Sequence, residues 1–436
     1  MEKKTLFLKP IIFILIAFYI ITFNISLSFA DVSFEIRKIA DTNTQMPGET
    51  EGTNFQSFKP PSIDFGNVAF EGCELVIQEW GYSKGQLGIY KYNTESFLSL
   101  VANRNTPIPG WLPVGYYYHL NNPEAFFRKV GFSELYFGAF VKDGDALDVI
   151  YMNRINDEPV YIPGTQLSPN VDAFSFDNSK VVFRSNYAIF SKDFDNNFSI
   201  IIDENTPIPG RDGYFGDLAH WLLIKDGTTV FTYDDRLYKH SNNLLSVVAD
   251  ENTIAPNFQK NFIHFDSLST SDGDIAFRGS VSLYEAGVYA IIDGELKAIV
   301  DPTMALGGAG NPSIDNGNVA FMASSSSGNN SPKGLYVYIN GSIQKVIATG
   351  DTFAGKEIIS LEIRPKALSE NQLVFLACFT DGSQGIYMAE FNLPTCGDNL
   401  WNIRFNADDR FDSNESYLRP WRYNNDDGWG RWVGMS

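Results

Sequence analysis

Pro61-Ser-Ile-Asp-Phe-Gly-Asn-Val-Ala-Phe70 returns almost unchanged as Pro312-Ser-Ile-Asp-Asn-Gly-Asn-Val-Ala-Phe321, and weaker copies end at Phe183, Phe231, Phe277 and Phe375. A second phrase follows each copy at a short distance: Gly88-Ile-Tyr90, Gly287-Val-Tyr289, Gly334-Leu-Tyr336 and Gly385-Ile-Tyr387, with Leu237-Tyr238 as a partial copy. A third closes the unit with an acidic turn, as in Ala102-Asn-Arg-Asn-Thr-Pro-Ile-Pro-Gly110, Ile202-Asp-Glu-Asn-Thr-Pro-Ile-Pro-Gly210 and Ala249-Asp-Glu-Asn-Thr253. Self-similarity of this kind decides the fold before any local motif is read.

The turns at Asp203, Asp250, Asp301 and Asp351 follow one another at steps of 47, 51 and 50 residues. A period of about 40 to 50 residues belongs to four-stranded propeller blades. Within each unit, short runs of Val, Ile, Phe and Tyr alternate with polar residues and are punctuated by Asp-Gly, Asn-Gly or Pro-Gly, which is hairpin chemistry. No segment after the leader shows a capped helical periodicity. The reading is an all-β protein, a β-propeller.

Between Asn103 and Asp203 the step is 100 residues. Taken as two units, the first degenerate around Tyr161-Ile-Pro-Gly164, it predicts seven blades. Six blades with an insertion between Trp111 and Gly164 is the alternative. The last unit supplies strands around Leu361–Ile363, Gln372–Cys378 and Gly385–Phe391 but lacks a fourth, and Val32–Ala40 carries an orphan copy of it. Pairing the two closes the ring and removes the open sheet edges.

At the N-terminus, Lys3, Lys4 and Lys9 precede an apolar run from Ile11 to Phe23, and Ser28-Phe29-Ala30 forms a small-x-small site before Asp31. That order predicts a signal peptide over residues 1–30, a repeat domain over 31–391 and a C-terminal extension over 392–436. The rival is an uncleaved anchor, since Leu6–Phe23 approaches the roughly 18 to 20 residues a span requires. No later segment is long and apolar enough to cross a bilayer. The expected location is the exterior, periplasm or cell surface of a bacterium.

The net charge is −19, a surface that repels nucleic acid and anionic membrane, whose binding needs clustered Lys and Arg. Such acidity keeps a large exported chain soluble and monomeric. Only Cys73, Cys378 and Cys396 occur, too few for a disulfide scaffold or a four-cysteine zinc site. The fold therefore rests on its own core, which the 44% hydrophobic content can supply.

The repeats resemble those of bacterial secreted proteins marked by Asn-x-x-Gly-x-Val-Ala-Phe, the choice-of-anchor type, over about residues 36–391. The turn here is one residue shorter, with Asp64 or Asp315 where that family has an Asn pair. The resemblance implies an exported or surface protein and brings no chemistry with it. Ser271-Asp-Gly-Asp-Ile-Ala-Phe277 is also similar to the repeat of TolB-like propellers, and Ser313-x-Asp315-x-Gly317 to a sialidase Asp box. In such repeats the acid braces a hairpin, so Asp64, Asp272 and Asp315 read as structural.

Four histidines, His119, His220, His240 and His264, are scattered without metal-ligand spacing. There is no Gly-x-Ser-x-Gly elbow and no phosphate-binding glycine loop. The catalytic set is thus unassigned and no metal site is expected. Calcium is the one cofactor the acidic turns at Asp203-Glu-Asn205 and Asp250-Glu-Asn252 admit, although each supplies only two or three oxygens where calcium wants six to eight. They read more simply as solvated turns.

The repeat breaks between Trp111 and Phe140, at Tyr116-Tyr-Tyr-His119 and Phe126-Phe127, and again at Trp221. Rings out of register can stack on sugars and cations, which makes Trp111, Tyr116, Tyr117, Tyr118 and Trp221 the candidate ligand-binding residues. Aromatics packing onto their own blade is the plainer account of the same residues. The tail carries Trp401, Trp421, Trp429 and Trp432 outside the repeat, as a loose extension or a docking segment. The expected function is a non-enzymatic surface propeller holding a glycan or protein ligand. A glycan-active hydrolase or lyase and a structural envelope component are the alternatives.

Overall fold

A computed structural model describes residues 32–74, 87–94, 97–103, 119–128, 132–141, 147–149, 152–153, 171–177, 180–185, 188–193, 197–216, 221–324, 333–392, 422–424 and 431–433. Residues 1–30, whose sequence predicts a signal peptide, lie outside them. The chain divides into two compact units, Met1–Leu393 and Pro394–Ser436. Of the second, one hairpin is described, Arg422–Asn424 paired with Arg431–Val433.

Every described element of the first unit is a strand, and the sheets form a β-propeller of six blades. Blade 1 comprises Ser57–Phe58 and Ser62–Asp64, then Asn67–Cys73, Leu87–Asn93 and Phe97–Asn103. Blade 2 runs Val171–Phe176, Lys180–Ser185, Ala188–Asp193 and Phe198–Ile202; blade 3 runs Leu222–Lys225, Thr228–Tyr233, Arg236–Ser241 and Leu244–Ala249. Blade 4 follows with His264–Ser271, Asp274–Ser280, Ala286–Ile292 and Glu295–Val300, and blade 5 with Gly307–Asp315, Asn318–Ser324, Lys333–Ile339 and Ser342–Ala348. Blade 6 takes Lys356–Glu362 and Leu368–Ser369, Gln372–Phe379 and Gln384–Asn392 from the end of the array, and Ser33–Asp41 from its beginning. Ser33 pairs with Asn392 and Asp41 with Gly385, antiparallel, with one bulge between Lys38 and Ala40. The N-terminal strand therefore closes the ring as expected.

The count corrects the seven blades that the spacing predicts. The 100-residue step holds blade 2 and, ahead of it, a sheet with different wiring. There His119–Arg128 pairs with Phe132–Val141, and the short segments Leu147–Val149 and Met152–Asn153 both pair back onto Phe132–Val141. Two ten-residue strands and a third broken into pieces of three and two residues replace the four-strand meander. This sheet is the insertion of the six-bladed alternative, set between blades 1 and 2.

The repeat phrases have a packing reason. In five blades the Phe of the second strand stacks across the sheet on the Tyr of the third: Phe70–Tyr90, Phe231–Tyr238, Phe277–Tyr289, Phe321–Tyr336 and Phe375–Tyr387, with centroids 5.4–6.0 Å apart. Blade 2 uses Phe183 and Phe190 in the same way. A further ring from the preceding loop meets several of these edge-on, as Phe55 does Tyr90 and Phe262 does Tyr289. Such pairs contribute about 0.5–1.5 kcal/mol each beyond the area they bury. The glycine two residues before the Tyr is required because the ring folds back over it. A Cβ at Gly334 would stand 2.7 Å from Cε2 of Tyr336.

The innermost strands are tied to their neighbours by side chains. Ser175 Oγ accepts the N–H of Ile224 in the next blade at 3.1 Å, Ser269 Oγ that of Ile314 at 3.0 Å, and Ser313 Oγ that of Leu368 at 2.9 Å. One level further, at the turn into the second strand, Asp177 accepts from Gly227, Asp226 from Asp272, Asp315 from Glu370, and Ser369 from Phe65. The middle of the ring is crossed by residues 363–367, which interrupt the first strand of blade 6. The Pro365 carbonyl accepts from Ser269 and Ser313, the Lys366 carbonyl accepts from Ile63 N–H, and Lys366 Nζ donates to the Phe176 carbonyl. Four blades thus grip one segment of a fifth element.

Candidate functional site

The turn acids that resemble an Asp box are part of this scaffold. Asp64 and Asp315 are buried. Asp315 Oδ1 takes a hydrogen bond from Ser271 Oγ at 2.8 Å and an ion pair from Lys225 Nζ at 2.5 Å, while Oδ2 takes the Glu370 N–H. Asp272 stands at the left-handed position of its turn, with φ 51°. An acid so engaged holds blades in place.

The acidic turns between blades share one geometry. In each of Asp41, Asp203 and Asp250, Oδ1 accepts from the Thr hydroxyl three residues on and from the Asn N–H two residues on, and the Asp N–H donates back to the Thr hydroxyl. Bonds from the Thr206 hydroxyl and the Asn205 amide hold the Asp203 carboxyl below its ordinary range. These carboxylates serve their own turns. Among the described residues no group of three or more His, Cys, Asp or Glu is arranged to hold a metal ion.

Of the candidate aromatics, Trp111, Tyr116, Tyr117 and Tyr118 lie outside the described residues. Trp221 immediately precedes the first strand of blade 3, half-buried against the cluster that contains Leu223, Phe262 and Phe265, and its carbonyl accepts the Thr232 N–H. It stands four residues before Lys225, the turn residue of its blade, as Ser267 and Asn311 stand four before Ser271 and Asp315. That count leads to a cleft between blades 4 and 5.

The cleft has a volume of about 290 Å³ and is lined by the polar residues Asp266, Ser267, Arg278, Asn311, Ser324 and Lys333, together with Gly308, Gly310, Met322 and Ala323 of blade 5. Both innermost strands are irregular here. The register slips between Asp266 and Ser269 and again between Gly307 and Ser313, and Ser267 and Asn311 each take φ 51°. Bulges bend a strand and re-aim its side chains. A Cβ at Gly310 would lie 3.2 Å from Cδ of Arg278, a tight contact that the arginine would have to yield to by a few tenths of an ångström.

Arg278 Nη1 donates to Asp266 Oδ2 at 2.7 Å, and His264 approaches the same oxygen at 3.7 Å while its Nδ1 lies 2.6 Å from Asp235. Ser267 Oγ donates to Asn311 Oδ1 at 3.4 Å. Asp266 Oδ1, Asn311 Nδ2, Ser324 Oγ and Lys333 Nζ make no hydrogen bond or ion pair among the described residues, so the cleft presents both acceptors and donors. Sequence reasoning passed over these residues because they are ordinary polar residues from two blades. Their one signal is Gly307-Gly-Ala-Gly-Asn311, a glycine run where the other units begin a strand.

A family model, described as a family of unknown function (DUF7453), matches residues 181–394, the stretch from the second strand of blade 2 to the last of blade 6. No characterised protein matches the sequence. Among solved structures, an oligogalacturonate lyase from Vibrio parahaemolyticus is similar at 11% identity and a TM-score of 0.43, over 83% of this chain and 97% of that one. A Trypanosoma rangeli sialidase mutant displaying trans-sialidase activity is similar at 10% identity and 0.37, over 83% of this chain and 59% of that one. A computationally designed protein, Ika8, is similar at 11% and 0.40, over 80% and 99%.

Proposed function

We propose that this is an exported, non-enzymatic propeller of the choice-of-anchor kind that binds a hydroxyl-rich ligand, a glycan, in the cleft between blades 4 and 5. The observation that carries this reading is the contrast between two sets of polar groups. The carboxylates of Asp41, Asp203, Asp250 and Asp315 accept bonds within the scaffold, whereas Asp266, Asn311, Ser324 and Lys333 keep open donors and acceptors around one cleft. A few polar groups fixed in a concave site are what orient a small ligand.

Thermal unfolding against a panel of oligosaccharides, with calcium and with chelator, tests the proposal. A ligand at about a hundred times its dissociation constant adds roughly 2.7 kcal/mol of stability. A shift with one sugar class, lost in Asp266→Ala, is the expected result. A shift with calcium alone would transfer the function to the acidic turns, and turnover of any polysaccharide would replace binding by catalysis. Export is checked by N-terminal sequencing of the secreted protein, which should begin at Asp31.

A further inference from the structure

We infer that the cleft recognises its ligand through a carboxylate, and that the ligand is an acidic sugar of the uronic acid class, one pyranose ring carrying one carboxylate. The inference rests on the reading of the cleft as a glycan site and names what enters it. The first ground is charge. The chain carries −19 overall, yet the cleft sets two cations, Arg278 and Lys333, against one acid, Asp266. A local excess of positive charge on an acidic molecule selects an anion at that place.

The second ground is the geometry of Arg278. A guanidinium has five N–H donors in a planar fork, and Asp266 engages only Nη1. The remaining edge matches a carboxylate, which Arg binds with two parallel charge-assisted bonds. Lys333 adds a second cation: its side chain is exposed and has no ion-pair partner among the described residues.

The third ground is the rest of the wall. Asp266 Oδ1 accepts, the Asn311 amide donates and Ser324 does either, which suits a ring of hydroxyls. No aromatic side chain lines the cleft, so a flat apolar ligand has nothing to stack on. At about 290 Å³ the site is at the small end of ligand pockets and admits one ring in place of an extended chain. Asp266 beside the cations disfavours a dianionic phosphate more than a monoanionic carboxylate.

The test is calorimetric titration of the protein at low ionic strength with D-glucuronate, D-glucose, acetate and inorganic phosphate. D-glucuronate should bind most tightly, and Arg278→Gln and Lys333→Gln should each weaken it about tenfold, the size of one lost charge-assisted contact. Lys333 is exposed, so its variant keeps the fold if Arg278→Gln does not. Equal affinity for D-glucose and D-glucuronate, or indifference to both substitutions, would overturn the carboxylate and leave the glycan cleft standing. Tighter binding of phosphate would overturn the carboxylate in the same way. If no sugar binds, both readings fall.

Discussion

Lys225 and Asp315 belong to blades 3 and 5, and their side chains meet past the blade between them, Nζ 2.5 Å from Oδ1. Burial alone would lower the Lys225 ammonium, but Asp315 and Asp64 outweigh it and hold the group above its ordinary value. Asp315→Ala leaves that ammonium without its nearest partner and should cost about 3–5 kcal/mol. Lys225→Met should cost less, because Asp315 keeps Ser271 and the Glu370 N–H. Urea unfolding of both single variants and the double variant checks this; equal and additive losses would contradict it.

The aromatic pairs separate two kinds of cost. Tyr289 is fully buried and its hydroxyl has no partner among the described residues. Tyr289→Phe should therefore be neutral or stabilising by up to about 1 kcal/mol. Gly287→Ala places a methyl 2.2 Å from the Val300 carbonyl and should cost about 1–3 kcal/mol. Burial, helped by Asp301, pushes the Tyr289 phenol up to about 12. The unfolded chain ionises near 10, so wild type should lose stability from pH 10 to 12 relative to Tyr289→Phe.

Asp203 gives the opposite sign. Its carboxyl is depressed in the folded state, so its stabilising share is present above the ordinary aspartate value near 3.8 and lost as the pH falls through the lower folded value. Denaturation of wild type and Asp203→Asn over a pH series should show a gap that is widest near neutrality and closes in acid. A gap independent of pH would mean that the turn does not use the charge.

At the ring's seam, Glu35 stands directly opposite Glu390. Like charges across an antiparallel pair destabilise it, and opposite charges contribute roughly 0.2–1 kcal/mol. Glu35→Lys should raise the melting temperature, Glu35→Lys with Glu390→Lys should abolish the gain, and salt should shrink the difference. No change in low salt would show that the two carboxylates avoid each other already.

Much of the scaffold could be read from the chain because the repeat residues are packing residues. Phe70 and Tyr90, and their copies, name the second and third strands, and the orphan segment at Val32–Ala40 announces the closure. The blade count went astray where the punctuation fails: residues 119–153 have strand-forming composition, but their third strand is split between Leu147–Val149 and Met152–Asn153, a pairing choice that no local pattern encodes. The cleft was hidden for a different reason. Asp266, Arg278 and Lys333 are unremarkable one at a time, and they come from three strands of two neighbouring blades that meet only in the folded ring. Trp221 was picked for being out of pattern, and it stands at the same count along blade 3 as Ser267 and Asn311 do in theirs.

The seam also has a consequence in time. Arg37 donates to the sulfur of Met388 across 351 residues of chain, so the first strand to be made waits for nearly the last. Bringing such distant segments together costs only logarithmically more than a short loop, but long-range pairing is slow. Shutting the ring is therefore expected late in folding, after the strands it joins have formed. Bonds formed after the barrier resist unfolding more than they speed folding, so a seam that closes last would act chiefly by slowing the reopening of the ring.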